Sequence, residues 1–341
     1  MSQNRLQKGD IEIGSPILFD TFDQKGRLLL CAGQTIRSEN QLERLLEWGM
    51  YGDPDAANDA GGDDASGTRR SATTWKRLSV FDLVAEVKQD LESVLTQPDA
   101  DLAQKILALA GRVCLICELD ADAALASMFH DRSGRYSIRH SVSTAILSAV
   151  IAQNRPVEGA LADSTVAAAL TMNCAILDFL DLTYSQAGPL DDAQKSIIRS
   201  HTEQSSARLL DLGVNDDTWL TIVRQHHEAH DGSGFPSKLT DASIHPLATI
   251  VAAAERYCAT IIERAYRPGA PPDAALDFLI QKNKNAIHPD IAEILRLNIG
   301  PYPPGTVVVL ANGDTAIAVK RTLSPRQPVA EIKSNLVYGE F

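Results

Sequence analysis

From about residue 75 to 297 the chain repeats apolar residues at three- and four-residue spacing, clearest over 80–95, 103–119, 140–151, 166–180 and 248–262. A stretch of that length with a 3.6-residue period buries itself as a bundle of helices. Its many alanines suit close contact between helices. The ends read differently. Residues 16–20 and 27–31 have strand composition, with the turn Asp23-Gln24-Lys25-Gly26 between them. Ser38-Glu39-Asn40-Gln41 has capping-box spacing and opens a short helix through Leu42, Leu45 and Leu46, ending near Gly49. Near the other end, Asn312-Gly313 between the runs 306–310 and 315–319 signals a β-hairpin packed on the helices.

The expected fold class is therefore mainly α: a multi-helix domain at 75–298, a small β-rich module at 1–53 and a C-terminal β appendage at 299–341. Residues 54–74 are rich in Asp, Ala, Gly and Ser with almost no large apolar side chain, too little to offset ordering entropy. They read as a flexible linker or as a regulatory tail that binds a partner.

The net charge of -12 argues against a general nucleic-acid binder or an anionic-membrane binder, while leaving room for a local basic pocket. No apolar run reaches the roughly 18 residues of a membrane-spanning helix, so membrane insertion is not expected. The first residues lack a basic segment followed by an apolar one, so a cytoplasmic location is expected. The five cysteines, Cys31, Cys114, Cys117, Cys174 and Cys258, are scattered and read as reduced thiols. Cys114 and Cys117 form a CxxC inside Val113-Cys114-Leu115-Ile116-Cys117, which reads as a buried helix face, with structural zinc or redox use as the alternative.

The densest chemical signal is His226-His227-Glu228-Ala229-His230-Asp231-Gly232-Ser233-Gly234-Phe235-Pro236. Paired histidines leading into a DGxGxP loop resemble the signature of the HD-GYP family, with Phe235 where that family usually has Tyr. The resemblance spans about residues 125–297. It implies an HD-type multi-helix, metal-dependent phosphohydrolase fold whose usual substrate is cyclic di-GMP. Hydrolysing a phosphodiester at neutral pH calls for charge neutralisation by two metals bridged by a carboxylate, hence imidazoles and carboxylates converging from several helices.

On the family pattern, Arg139-His140-Ser141 resembles the first ligand segment, a histidine followed by Ser. Ala169-Leu170-Thr171-Met172-Asn173-Cys174-Ala175-Ile176 falls where the family has a helix carrying His-Asp and then Gly-Lys. Met172 stands for the His, Asn173 for the Asp and Ile176 for the Lys. His201 resembles the next ligand, and His226 and His227 the paired ones. Glu255 stands where a helix normally carries a ligand Asp, and Arg264-Ala265-Tyr266-Arg267 resembles the basic and aromatic segment after it. The expected metal ligands are thus His140, His201, His226, His227 and Glu255. His130, His230, His245 and His288 read as ordinary histidines.

Met172, Asn173 and Ile176 together remove the bridging carboxylate and the lysine that would stabilise a phosphate. A thioether suits Cu(I) rather than Fe, Mn or Mg. Three imidazoles at His201, His226 and His227 still suit one divalent ion, Fe, Mn or Zn. The chain is expected to be a degenerate binding or scaffold module of cyclic di-GMP signalling, with weak or no phosphodiesterase activity. The alternatives are an active phosphodiesterase with an altered, mononuclear centre, or a purely structural helical domain. Asp231, Gly232, Gly234, Phe235 and Pro236 form the expected loop for ligand or partner contact, with signalling proteins docking at Gly234-Phe235-Pro236. Arg264, Tyr266 and Arg267 are candidates for cyclic di-GMP phosphate or guanine contact.

Overall fold

The computed structural model describes residues 4–24, 27–36, 38–52, 79–155, 157, 159–265, 267–282, 286–322 and 329–332. The expected linker 54–74 and Tyr266 lie outside the described residues. The chain forms two compact units, Met1–Leu83 and Val84–Phe341.

In the first unit, β1 (Asn4–Arg5), β2 (Thr21–Phe22), β3 (Leu28–Leu30) and β4 (Tyr51–Gly52) form an antiparallel sheet in the order β1-β4-β2-β3. The run 16–20 makes only an isolated bridge, Pro16 to Thr35, rather than the expected strand. Helix α1 (Glu39–Trp48) begins as its sequence dictates: the Ser38 hydroxyl accepts from the Gln41 amide, and Gly49 ends it in the left-handed conformation. Leu6, Phe22, Ile36, Leu42, Leu45 and Met50 fill the small core.

The second unit is helical. In chain order it holds α2 (Val80–Thr96, which starts at the unit boundary), α3 (Leu102–His130), α4 (Tyr136–Ala152), α5 (Gly159–Thr171), α6 (Leu177–Tyr184) and α7 (Asp192–Asp211). Then come α8 (Asp217–Gln225), α9 (Pro246–Ile261), α10 (Pro272–Asp277) and α11 (Pro289–Asn298). Helix α4 is buried along almost its whole circumference and lies against α3, α5, α6 and α9. Ala167, Ala168 and Ala169 on α5 are fully buried, which lets backbones approach closely. Long α3 is two helices joined at Asp120, whose extended backbone breaks the run and whose carboxylate caps the second half at Ala123. Cys114 and Cys117 are buried on its first half, as free thiols.

The pattern over 166–180 predicts one helix, but Met172–Ile176 form a turn between α5 and α6. The cause is tertiary. The Ser205 hydroxyl on α7 accepts from the Ala175 amide at 3.2 Å. Thr171, at the end of α5, accepts from the Trp219 indole at 2.8 Å. At the C-terminal end the hairpin becomes a three-stranded antiparallel sheet of β5 (Val307–Val309), β6 (Thr315–Lys320) and β7 (Val329–Ile332). Arg321 ties it to the helices through Asp122 and the Asn298 carbonyl.

Trp219 is fully buried, and its indole N–H reaches a hydroxyl at the point where the chain leaves α5. Trp219→Phe is expected to cost about 1–3 kcal/mol of stability through the unmade hydrogen bond and the lost volume, read as a lower urea midpoint by circular dichroism.

Candidate metal centre

His201 lies in the middle of α7, and His226 and His227 follow the last residue of α8. The Nδ1 of His201 meets the Ile198 carbonyl at 2.6 Å, and the Nδ1 of His226 meets the Val223 carbonyl at 2.7 Å. A carbonyl only accepts, so each Nδ1 carries the hydrogen and, in a neutral ring, Nε2 is bare. The two Nε2 atoms face each other at 3.3 Å. His201 is 1% and His226 0% exposed. Burial pushes both pKa values down, that of His226 well below the ordinary range, which disfavours a bridging proton.

His227 completes the cluster. Ligand atoms of the three rings lie within 4.8 Å of one another, a geometry in which three imidazoles could hold a metal ion. Burial brings the His227 pKa down to about 3, with Glu255 partly offsetting it. Glu255, on α9, stands beside both histidine segments: Oε1 is 3.3 Å from His140 Nε2 and Oε2 is 4.0 Å from His227 Nδ1. Burial alone would raise the Glu255 pKa, but the His140 hydrogen bond and the surrounding imidazoles pull it well below the carboxylate range. His201, His226 and His227 thus form one cluster, and Glu255 links His227 to His140. The opposed lone pairs are the feature that fits a cation, and three nitrogens suit Zn, Fe or Mn.

Where the family pattern has His-Asp and Lys, the structure has buried side chains. Met172 is 0% exposed and Asn173 4%. Ile176 forms an apolar cluster with Tyr136 and Leu180, joined by Phe179, Tyr184, Ile198 and Ile262.

The DGSGFP loop is built against the histidines. The Asp231 carboxylate turns back on the Ser233 amide and hydroxyl and is exposed. Gly232 is left-handed. Gly234 is fixed by space: a Cβ there would come within 2.4–2.5 Å of the backbone of His227, Glu228 and Ala229. Phe235 donates its amide to the His227 carbonyl and stacks its ring on that imidazole, centroids 4.6 Å apart. Pro236 follows a cis peptide bond.

Arg264 donates to the Tyr136 hydroxyl at 3.0 Å and lies over its ring. Arg267 spends both terminal nitrogens on the Thr260 and Ala259 carbonyls and closes the end of α9.

Residues 123–291 match the family model described as HD domain. Among similar proteins, the cyclic di-GMP phosphodiesterase PA4108 of Pseudomonas aeruginosa is 25% identical over 201 residues, 58% of this chain and 48% of the relative. The 3'3'-cGAMP-specific phosphodiesterase 3 of Vibrio cholerae is 27% identical over 173 residues, 51% of this chain and 37% of the relative. The matches to these two relatives span about half of their length or less. A solved structure, Bd1817, a HDG"Y"P protein from Bdellovibrio bacteriovorus, shares the fold with a TM-score of 0.56 at 18% identity, covering 86% of this chain and 98% of that one. The chain belongs to the HD-GYP family of HD domains.

Within this HD-GYP domain several residues matter that sequence reading does not single out. Glu228 is buried, and its carboxylate accepts from the Ser237 and Leu239 amides at 2.7 and 2.9 Å, pinning the loop. Arg256 donates to the Glu228 and Ala286 carbonyls. Asp181 accepts from the Ser137 amide and from Arg135, fixing the first turn of α4. Tyr136 stacks on His140 at 5.6 Å, and burial raises its pKa to about 12. Only Tyr136 had a sequence signal, the i, i+4 spacing that puts it on the His140 face. His245 and His288 are helix caps: each precedes a proline and accepts an amide through Nδ1.

Gly234→Ala is expected to lower stability by about 1–3 kcal/mol, because the added methyl meets immovable backbone. Gly188→Ala, where the methyl meets nothing, is expected to stay within about 0.5 kcal/mol of the parent. Parallel thermal melts compare the two.

Proposed function

We propose that this HD-GYP protein acts in cyclic di-GMP signalling as a binding or scaffold module, holding one divalent ion and hydrolysing its ligand weakly or not at all. The observation that carries the metal is the 3.3 Å approach of two bare Nε2 atoms in a buried site. Without a cation between them the lone pairs repel, and burial removes water as an alternative partner. His201, His226 and His227 would hold the ion, with Glu255 and His140 beside it. A bound divalent ion would supply positive charge against the oxygens of a phosphodiester.

The argument for weak hydrolysis is electrostatic. Two unit charges 4 Å apart interact by about 4 kcal/mol at an effective dielectric of 20, and two dications repel by about four times that. A bridging carboxylate offsets much of this, whereas Asn173 is neutral. Met172 offers a fully buried thioether. At Ile176 a lysine ammonium would sit in an apolar cluster. Arg264, which donates to the Tyr136 hydroxyl, is the candidate phosphate contact, and the half-buried Phe235-Pro236 edge of the Gly234-Phe235-Pro236 loop is the candidate surface for a signalling partner.

The second reading, an active phosphodiesterase with an altered centre, is favoured by Glu255, whose two oxygens adjoin His140 and His227. The named activities of the relatives support either version.

Metal analysis and anaerobic cyclic di-GMP turnover with Fe(II) or Mn(II) separate them, with His226→Ala/His227→Ala as reference. The expected result is metal retained by the parent and lost by the double variant, with turnover no higher in the parent. Turnover that disappears in the double variant would establish the active reading; no metal in either would overturn both.

A further inference from the structure

Two helices begin on a histidine instead of the usual Ser, Thr, Asp or Asn. His245 precedes Pro246 at the start of α9, and His288 precedes Pro289 at the start of α11. In each case the imidazole Nδ1 accepts the amide two residues on, that of Leu247 at 3.2 Å and that of Asp290 at 3.3 Å. The intervening proline has no amide hydrogen, so each imidazole serves the first helical amide that needs a partner. A serine or asparagine accepts such a bond whatever the pH. An imidazole nitrogen accepts only while it is bare, and both ring nitrogens are donors once the ring is charged. A charged ring also sets positive charge against the positive end of the helix dipole.

The two half-buried rings have different surroundings. The His245 amide donates to the Gln225 side chain at the end of α8 at 2.7 Å. No carboxylate pairs with the His245 ring among the described residues, and burial lowers its pKa. His288 has charged company. The Asp290 carboxylate is 3.7 Å from its Nδ1 and 3.8 Å from Arg155, just beyond α4. The His230 ring, itself 3.2 Å from Asp241, meets the His288 ring edge-on with centroids 5.4 Å apart. Glu228 and Arg256 line, with both of these rings, a cavity of about 10 Å³, room for one water. On taking a proton, His288 exchanges the amide of Asp290 for its carboxylate, whereas His245 has no such second partner among the described residues.

Both helix starts adjoin the base of the DGSGFP loop. Ala286, two residues before His288, accepts from the His230 amide and from Arg256, which also holds the Glu228 carbonyl. Thr249, near the start of α9, lines the same small cavity. We propose that the His-Pro starts of α9 and α11 form an acid-sensitive latch, in which bare imidazoles hold both helix ends at neutral pH and their protonation releases the ends and loosens the base of the loop. The folded state holds both rings neutral and the unfolded chain does not. The stability they contribute is therefore complete above the ordinary histidine pKa of about 6.5 and is lost as the pH falls through it. Asp290 offsets part of the loss at His288, so His245 carries the larger share.

The test compares thermal midpoints of the full chain and of His245→Asn/His288→Asn at about pH 8 and about pH 5.5, either side of that value. Asparagine caps as well and takes no proton. Between the two pH values the midpoint of the double variant is expected to rise relative to the parent by about 2–4 °C, the scale of one lost cap in a domain of this size. His245→Asn alone is expected to give most of that rise. The buried histidines of the metal centre titrate in parent and variant alike and cancel in the difference. Nitrogen NMR of the parent at the higher pH is expected to show both rings with the hydrogen on Nε2. A relative midpoint that stays level or falls with acid, or a His245 ring that carries its hydrogen on Nδ1, would overturn the proposal.

Discussion

Two imidazoles that face each other through bare nitrogens, inside a helical core, set the terms for the rest of the second unit. The arrangement arises because each Nδ1 finds a carbonyl one turn back in its own helix, at Ile198 and at Val223. Those local bonds fix both tautomers without help from distant residues. The cost is that the unprotonated faces meet at 3.3 Å away from water, where an unpaired polar atom costs on the order of 1–3 kcal/mol. A fold that retains such a contact either carries that cost or offsets it with a cation. The nearby carboxylate of Glu255, pulled well below its usual pKa, makes the region hospitable to positive charge.

Much of the surrounding architecture serves to hold these rings still. The buried helix α4 delivers His140 to Glu255, and Asp181 secures its first turn from α6. On the other side the backbone of His227 is wedged by Gly234 and covered by Phe235. Glu228 and Arg256 then lash that loop to α9 and to the segment before α11. Phenylalanine at position 235 keeps the stacked ring, and what it gives up relative to tyrosine is one hydroxyl. The contact that orients His227 is therefore a face-to-face packing interaction and not a hydrogen bond.

How legible this was depended on the range of each interaction. The helical class, the capped α1 and the Asn-Gly hairpin follow from local periodicity and turn chemistry, and the family signature places the five histidine and glutamate positions that the fold draws together. The break at Met172–Ile176 left no local trace, since no glycine or proline marks it. It depends on Ser205 and Trp219, which lie 30 and 48 residues away from their partners. Glu228, Arg256 and Asp181 are likewise ordinary charged residues until the fold supplies their backbone partners. The His-Pro pairs at 245–246 and 288–289 were readable as helix starts, because proline suits the first helical position and an imidazole can accept the orphan amide. Arg267 is a different case: its place in a basic segment suggests ligand contact, and in the fold its two terminal nitrogens donate to the Thr260 and Ala259 carbonyls near the end of α9.

The substitutions at 172, 173 and 176 gain coherence from where the third one sits. Ile176 packs with Tyr136, Leu180 and Tyr184. Tyr136 in turn stacks on His140, and Tyr184 underlies Arg139. An ammonium at position 176 would require this cluster to solvate a charge, and the stack between the histidine and the arginine would have to open. With isoleucine there the cluster is apolar, with Tyr136 buried in it and half-buried Tyr184 packed against it. Isoleucine instead joins the apolar contacts behind Tyr136, whose ring stacks on His140, so position 176 serves that histidine through packing and not through charge.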